Sequence, residues 1–141
     1  MEIRKCNTIN ELIDHYQIRK KVFIEEQQVS YEDEFDLEEK NRTAFVIYEN
    51  NIPIGAGRIN FLDGFAKIER VCVLKEYRGS GIGKKFMEYL IQYCKEKKVK
   101  EIRLGAQTTA LGFYEKLGFI KYGEEFLDAN IPHFMMKLTI K

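Results

Sequence analysis

A glycine-rich run joined to a helical stretch is the part of this sequence best suited to chemistry. Residues 78–83 read Arg-Gly-Ser-Gly-Ile-Gly, and residues 84–97 follow with helical periodicity. Glycines carry almost no side-chain bulk, so their backbone can approach a ligand closely. The start of a helix adds unpaired N–H groups and the positive end of its dipole. With the charges of Arg78, Lys84 and Lys85 nearby, the run predicts a pocket for the phosphates of a cofactor.

Two other glycine-containing phosphate loops do not fit this run. The nucleotide P-loop requires G-x-x-x-x-G-K-[ST], and the glycines at 79, 81 and 83 lack that spacing to Lys84. The dinucleotide fingerprint G-x-G-x-x-G lacks its third glycine here. What remains is R-x-x-G-x-G after the apolar residues 71–74. A glycine turn placed only for packing is the competing interpretation.

A second pattern, A-x-x-F-Y-x-K-x-G-F, lies downstream at residues 110–119. Together the two patterns resemble the signatures of GNAT-type acetyl-CoA-dependent N-acetyltransferases, and the predicted order of elements extends the resemblance over nearly the whole chain. The chain is most similar to small single-domain bacterial members with E-E-Q-x-V early, here at 25–29, and I-P-H late, here at 131–133. The resemblance implies transfer of an acetyl group from acetyl-CoA to a primary amine of a small molecule or peptide.

The resemblance also implies which residues hold the cofactor. The backbone of residues 78–84 would cradle the pyrophosphate, residues 71–73 would pair with the pantetheine arm, and the Val73 N–H would face the oxyanion. Gln107 stands where the family often has asparagine, so its contact to pantetheine is expected with altered geometry, or else it begins a helix. The implied cofactor-binding residues are Val71, Cys72, Val73, Arg78, Gly79, Ser80, Gly81, Ile82, Gly83, Lys84, Gln107, Ala110 and Tyr114.

The catalytic candidates are less well defined than the cofactor loop. Tyr114 is the expected general acid for the leaving thiolate, because a phenol is protonated at neutral pH; the alternative is a core aromatic. For the general base we weigh Glu69, which could instead form an ion pair, and His133, which could instead be a turn residue. Glu25 and Glu26 are further candidates.

Residues 32–39 contain six acids in eight positions. Such runs are usually solvated loops, but this one falls where the resemblance implies the acceptor side of the cleft. An acidic wall there would favour a cationic acceptor. An alternative stays open. A chain that kept the glycine-rich run 78–83, which we call the glycine loop, but had lost transfer chemistry would be a regulatory module that binds CoA.

Composition narrows the function classes. The 141 residues are 45% apolar and 32% charged with a formal net charge of +1, which fits one ordinary globular domain over 1–141 and argues against nucleic-acid binding. No apolar run approaches a membrane span and no signal-peptide pattern begins the sequence, so we expect a cytoplasmic protein. Three scattered cysteines and two histidines give neither a disulfide framework nor a metal-ligand spacing.

Periodicity and turn signals predict the order β-α-α-β-β-β-α-β-α-β-β. This is a mixed α/β (α+β) fold with a twisted, mostly antiparallel sheet of about seven strands and about four helices, as the GNAT resemblance also implies. Residues 30–42 are expected to be an acidic connector. The apolar residues 134–140 predict a last strand at a sheet edge, which would allow two copies to pair as a homodimer.

Overall fold

Alternation between strand-forming and helix-forming stretches produces a seven-stranded sheet with four α-helices in the computed structural model, which describes residues 1–141. The strands are β1 (Glu2–Lys5), β2 (Thr43–Glu49), β3 (Ile52–Phe61), β4 (Phe65–Val73), β5 (Glu101–Gln107), β6 (Ile120–Asp128) and β7 (Ile131–Thr139). The helices are α1 (Ile9–Arg19), α2 (Tyr31–Glu34), α3 (Ile82–Glu96) and α4 (Leu111–Glu115). This order confirms the predicted one. A π-helical turn, Lys20–Glu26, continues α1.

Local signals explain where the two long helices begin and which side they bury. Thr8 caps α1 in a capping box, because the Glu11 N–H donates to Thr8 Oγ1 and the Thr8 N–H donates to the Glu11 carboxylate, both at 3.1 Å. Helix α3 lays one apolar side on the sheet. Its buried residues are Phe86, Met87, Leu90, Ile91 and Cys94. No helix is long and apolar enough to cross a membrane.

The sheet has the strand order β1-β2-β3-β4-β5-β7-β6 and every neighbouring pair is antiparallel except β4 and β5. The fold class is therefore confirmed. The prediction that the last strand forms an edge is wrong, because β7 is paired with β5 on one side and β6 on the other. Its apolar residues fit an interior strand, and the edges of the sheet are β1 and β6.

The parallel pair β4 and β5 is joined over a short distance only. Their register covers Phe65 to Lys67 of β4 against Glu101 to Arg103 of β5. Beyond these residues β5 continues to Gln107 and β4 to Val73 without pairing to each other. The two strands leave a slot between their carboxyl ends, which we call the β4–β5 slot.

β4 also carries a bulge beside this slot. Arg70 and Val71 together face the single residue Gly57 of β3. Arg70 has a φ of 58°, a left-handed conformation that costs about 1–2 kcal/mol for a residue with a side chain. The bulge bends the strand at the position where its residues begin to line the slot.

The acidic connector is more ordered than the sequence predicts. Residues 30–42 contain α2 and a 3₁₀ turn, Glu39–Asn41. The Ser30 side chain caps α2 by accepting from the Asp33 N–H at 3.1 Å. Arginines from the sheet and from α1 hold this segment in place, as described below.

Candidate active site

The β4–β5 slot opens into a cavity of about 400 Å³. β4 lines it through residues 67–73, and the segment 22–34 closes the opposite side. The remaining walls come from β5, α4 and the 3₁₀ turn before it, the β6–β7 hairpin, and Arg78 and Gly83. The site therefore depends on elements from both halves of the chain.

A second cavity adjoins the first at the glycine loop. Gly79 and Gly81 there have φ values of 85° and 83°, so the loop requires glycine for its backbone conformation. A Cβ at either position would meet no atom within 4 Å, which leaves the loop surface open. The residues that line both cavities are Val73, Arg78, Gly83 and Phe113.

Helix α3 starts with free donors at this second cavity. Its first backbone bond runs from the Lys85 N–H to the Gly81 carbonyl at 3.1 Å. The N–H groups of Ile82, Gly83 and Lys84 therefore have no partner within the helix. With the helix dipole they form a site that favours an anion.

The structure brings most of the predicted site residues to these cavities. Ser80 and Ile82 are the exceptions, since the Ser80 hydroxyl donates to the Tyr77 carbonyl at 3.0 Å and Ile82 packs against the core. No three His, Cys, Asp or Glu side chains gather into a metal-binding arrangement. The predicted residues that line a cavity are Glu69, Val71, Cys72, Val73, Arg78, Gly79, Gly81, Gly83, Lys84, Gln107, Ala110, Tyr114 and His133.

Tyr114 reaches the cavity from α4. Its ring packs against those of Phe113 and Phe119 in T-shaped, edge-to-face arrangements, with centroids 5.0 and 6.0 Å away. Burial raises the pKa of Tyr114 to about 12, so the phenol keeps its proton at neutral pH. Every buried side-chain oxygen or nitrogen in the protein has a hydrogen-bond partner, and no protein group bonds the Tyr114 hydroxyl, which therefore opens to the cavity.

His133 reaches the cavity from β7 on the opposite side. Its Nδ1 lies 2.6 Å from the Ile131 carbonyl oxygen. A carbonyl can only accept, so Nδ1 carries the hydrogen and the neutral ring keeps its lone pair on Nε2. The ring stacks on Phe126 with a centroid distance of 5.7 Å. A buried imidazole fixed in this way can accept a proton at Nε2.

Glu69 lines the same cavity but its carboxylate is already engaged. Its Oε1 accepts from Arg42 Nε and from Arg58 Nε, both at 2.9 Å. Its Oε2 lies 3.7 Å from Lys67 Nζ. The ion-pair alternative weighed for Glu69 therefore describes its contacts: of the expected partners Lys67, Arg70 and Arg103, Lys67 is present, and Arg42 and Arg58 are added from distant parts of the chain.

The acidic segment is not an unpaired negative wall. Glu34 binds Arg19 and Arg70, with nitrogen–oxygen distances of 2.7 and 3.3 Å. Asp36 binds Arg58 at 3.0 Å. Glu39 binds Arg19 at 2.7 Å and Arg58 at 2.9 Å. The interpretation of these acids as a surface for cations is corrected for the three that are paired.

We call these ion pairs the arginine cluster, and its centre is inaccessible to solvent. Arg19 is 0% exposed and Arg58 and Glu34 are each 2% exposed. Burial alone would raise the pKa of Glu39, but the guanidinium groups of Arg19 and Arg58 outweigh it and lower that pKa. The cluster joins α1, α2 and the strands β3 and β4 into one charged but balanced interior.

His15 completes the arginine cluster as a neutral residue. Its Nδ1 donates to the Phe45 carbonyl at 2.9 Å and its Nε2 accepts from Arg19 Nη1 at 3.2 Å. Burial first, and the neighbouring Arg19 charge with it, lower the pKa of His15 to about 4. His15 is a structural residue and lies outside the cavity.

The guanidinium of Arg78 is largely bonded to protein groups and is not free to face the glycine loop. Its Nε donates to the Val73 carbonyl at 2.9 Å, and Nη1 and Nη2 donate to the Glu26 carboxylate at 2.6 and 2.7 Å. Glu26, a candidate base, is thus held in a bidentate ion pair. The Arg78 hydrogen bond lowers the pKa of Glu26 despite the opposing effect of desolvation.

Gln107 ends β5 with its side chain engaged across the slot. Its Nε2 donates to Gln27 Oε1 at 3.0 Å. Gln107 is both the last residue of β5 and the N-cap of the 3₁₀ turn Thr108–Ala110, although its side chain makes no capping hydrogen bond. Its amide lies in the cavity wall, where a cofactor contact was predicted.

Several lining residues escaped the sequence analysis. Gln27, Phe113, Phe126 and Asp128 are of this kind. Asp33 also lines the cavity, but it belongs to the acidic run 32–39 that was expected on the acceptor side. Phe113 and Gln27 sit within the motifs quoted above, so a wider use of those motifs could have found them. Nothing in the sequence pairs Phe126 or Asp128 with β4, because the strand crossover that brings them there is a long-range feature.

Comparison with known proteins gives one consistent result. The family described as "Acetyltransferase (GNAT) domain" matches residues 11–140. YyaT of Bacillus subtilis is 42% identical over 144 residues, which cover 99% of this chain and 97% of that protein. The uncharacterised N-acetyltransferase YjcF of Bacillus subtilis is 41% identical, covering 89% of this chain and 91% of its own.

Solved structures agree with this result. An acyl-CoA N-acyltransferase from Pseudomonas aeruginosa has 25% sequence identity and superposes with a TM-score of 0.86. The alignment covers 96% of this chain and 96% of that one. The likeness therefore extends over nearly the whole chain.

Proposed function

The chain belongs to the GNAT family of acetyltransferases and is an acetyl-CoA-dependent acyltransferase, and on that premise we propose that it transfers the acetyl group directly to a primary amine. The acceptor is a small molecule or a peptide. The observation that carries the proposal is that Tyr114 and His133 line one cavity that adjoins the free donors of the glycine loop. Proton donor, proton acceptor and anion site thus share one continuous space.

The glycine loop is suited to hold the pyrophosphate of the cofactor. The open backbone at Gly79 and Gly81 and the free N–H groups at the start of α3 supply the donors. Lys84 adds charge from the second cavity. Residues 71–73 and Gln107 then line the β4–β5 slot, which is where an extended pantetheine arm would lie.

The proposed reaction needs two proton transfers. His133 Nε2 accepts a proton from the acceptor amine, whose nitrogen attacks the thioester carbonyl carbon. The Val73 N–H stabilises the oxyanion that forms, and such a donor contributes on the order of 3 kcal/mol in other enzymes. The carbon–sulfur bond then breaks, and the Tyr114 hydroxyl gives its proton to the departing CoA thiolate.

Cys72 supports direct transfer over a covalent acyl-enzyme. It is the cysteine that lines the cavity, and burial raises its pKa to about 12. A thiol at that pKa is scarcely ionised at neutral pH and is a poor nucleophile. We therefore assign no covalent step to it.

The acceptor end of the cavity offers apolar walls and little free negative charge. Phe23, Val29, Phe126, Ile131 and Met135 line it. The arginine cluster neutralises most of the acids nearby, and Asp33 and Asp128 are the lining carboxylates that make no ion pair. We expect amines carried on apolar arms to be better acceptors than polyamines.

Calorimetry and a thiol-release assay test the proposal together. We expect saturable binding of acetyl-CoA by the wild-type protein, and release of CoA thiol that increases with added amine. Tyr114→Phe should lower kcat about 100-fold while the Kd for acetyl-CoA stays unchanged. Cys72→Ala should retain turnover. Binding of acetyl-CoA without thiol release across a broad amine panel would instead favour the regulatory module.

A further inference from the structure

Two consecutive residues reach across the mouth of the β4–β5 slot. Glu26 forms the bidentate ion pair with Arg78, which follows β4 in the chain. Gln27 accepts from Gln107 at 3.0 Å, and Gln107 ends β5. We call Glu26 and Gln27 the clasp. Two adjacent side chains thus contact both sides of the slot.

The cavity continues beneath the clasp. Gln27 and Gln107 both line it, and so do Val73, Arg78 and Tyr114. The slot is open under the clasp because β4 and β5 stop pairing at Lys67 and Arg103. The clasp therefore covers the part of the cavity that leads from the glycine loop to Tyr114.

The fold itself gives little reason for these contacts. The Glu26–Arg78 side chains are 35% and 40% exposed, and exposed ion pairs contribute about 0–1 kcal/mol to stability. The segment is already held by backbone bonds, from the Gln27 N–H to Val22 at 3.0 Å and from the Val29 N–H to Phe23 at 2.8 Å. The contacts across the slot are side-chain contacts only, so they can open without unfolding the segment.

The chemistry of the clasp also suits the molecule that would lie beneath it. The amide pair of Gln27 and Gln107 uses one donor and one acceptor. It leaves the Gln27 NH₂ group and the Gln107 carbonyl oxygen free to bond. A pantetheine arm carries two amide groups, which need one acceptor and one donor each.

We propose that Glu26 and Gln27 retain the bound cofactor, with the pantetheine arm passing beneath the clasp and Gln27 contacting its amides. The inference rests on the proposed function, since it needs CoA in the β4–β5 slot. Glu26 acts through Arg78 and is a positioning residue. Opening of the clasp then limits how fast CoA leaves.

Dissociation of CoA from the immobilised full-length protein, followed by surface plasmon resonance, tests the clasp. We expect Glu26→Gln to raise the off-rate for CoA about tenfold and Gln27→Ala about threefold, with on-rates within about twofold of wild type. Glu25→Gln is the matched control, because Glu25 is the adjacent glutamate and makes no ion pair. Melting temperatures of all three variants should stay close to that of the wild type, so that a faster off-rate cannot be attributed to lost stability.

The outcomes separate the clasp from the proposed function. Equal off-rates for Glu26→Gln and Glu25→Gln, or a change confined to the on-rate, would overturn the clasp while binding and turnover by the wild-type protein upheld acyl transfer. A wild-type protein that bound no CoA would overturn both.

Discussion

The arginine cluster and the glycine loop are both rich in charge or dipole, yet they use it in opposite ways. In the arginine cluster each guanidinium is matched by carboxylates, and the central side chains are sealed from solvent. At the glycine loop the backbone donors of α3 have no partner and the surface is open. A high density of charged residues is therefore a poor marker of a binding site. Hydrogen-bond donors without a protein partner are a better one.

The difference follows from where the opposing groups come from. The cluster collects its acids from one segment, 34–39, and its arginines from α1, β3 and β4, so folding itself satisfies the charges. At Gly79 and Gly81 the loop has no protein atom within 4 Å of where a side chain would begin. Its donors can be satisfied only by a ligand or by water.

The largest expected effect is on stability, from breaking the cluster at its centre. Glu34→Ala removes a carboxylate that is 2% exposed and leaves Arg19 and Arg70 without that partner. We expect the free energy of unfolding to fall by about 3–5 kcal/mol, because a buried ion pair is broken while Arg19 stays buried with Glu39 as its remaining carboxylate partner. Urea unfolding followed by circular dichroism measures it.

The control for this prediction lies in the same segment. Glu38 is 57% exposed and sits 4.0 Å from Arg42, so Glu38→Ala should cost under about 1 kcal/mol. A similar loss for both variants would contradict the distinction between a sealed cluster and a solvated acidic run.

The next largest effect is a dependence of stability on pH through His15. The pKa of His15 in the folded protein is about 4, below the ordinary value of 6.5. Between these two values the imidazole is protonated in the unfolded chain but neutral in the folded one. The contribution of His15 is complete above pH 6.5 and is lost as the pH falls toward 4. That loss amounts to about 3 kcal/mol at 1.36 kcal/mol per pH unit.

Unfolding measured from pH 7 to pH 4 in wild type and in His15→Gln checks this prediction. His133 is present in both proteins, so the difference between the two curves isolates His15. The difference in the free energy of unfolding between wild type and His15→Gln should become smaller as the pH is lowered. Parallel curves would mean that the cluster tolerates a charged imidazole.

The smallest of the three effects concerns the open region. Gly81→Glu should weaken acetyl-CoA binding about 100-fold, or about 2.8 kcal/mol, because it puts a carboxylate where the phosphates bind. Gly64→Glu is the matched control, since Gly64 has a φ of 84° and equally open surroundings but lies in the β3–β4 turn. Calorimetry should find binding intact in Gly64→Glu. Equal losses would mean that backbone strain, not the ligand site, explains the result.

Local signals were enough to predict the order of the helices and strands. The Thr8 capping box, the one-sided apolar pattern of α3 and the turns at 50–51 and 63–64 act within a few residues, so each is visible in the sequence. The place of β7 was not predicted, because apolar strands occur both at edges and inside sheets. Only pairing with β5 and β6 decides between them.

The site divides along the same line. The glycine loop and Tyr114 lie in contiguous motifs and could be predicted as candidates. The partners of Glu69 and of residues 34–39 come in most cases from 15 or more positions away, such as Arg19 for Glu34 and Arg58 for Asp36. The sequence does not show whether a carboxylate is solvated, in an ion pair or catalytic. Long-range contacts determine its environment, and no spacing in the sequence predicts those contacts.

The position of β7 has a consequence for how the protein is made. A ribosome synthesises β5 and β6 before β7, yet β7 is the strand that lies between them. Until it emerges, the nascent chain carries an unpaired β5 edge and a β6 with no neighbour, both of which are templates for aggregation. Because His133 belongs to β7, the chain acquires the residue proposed to accept the proton in the same step that closes its sheet.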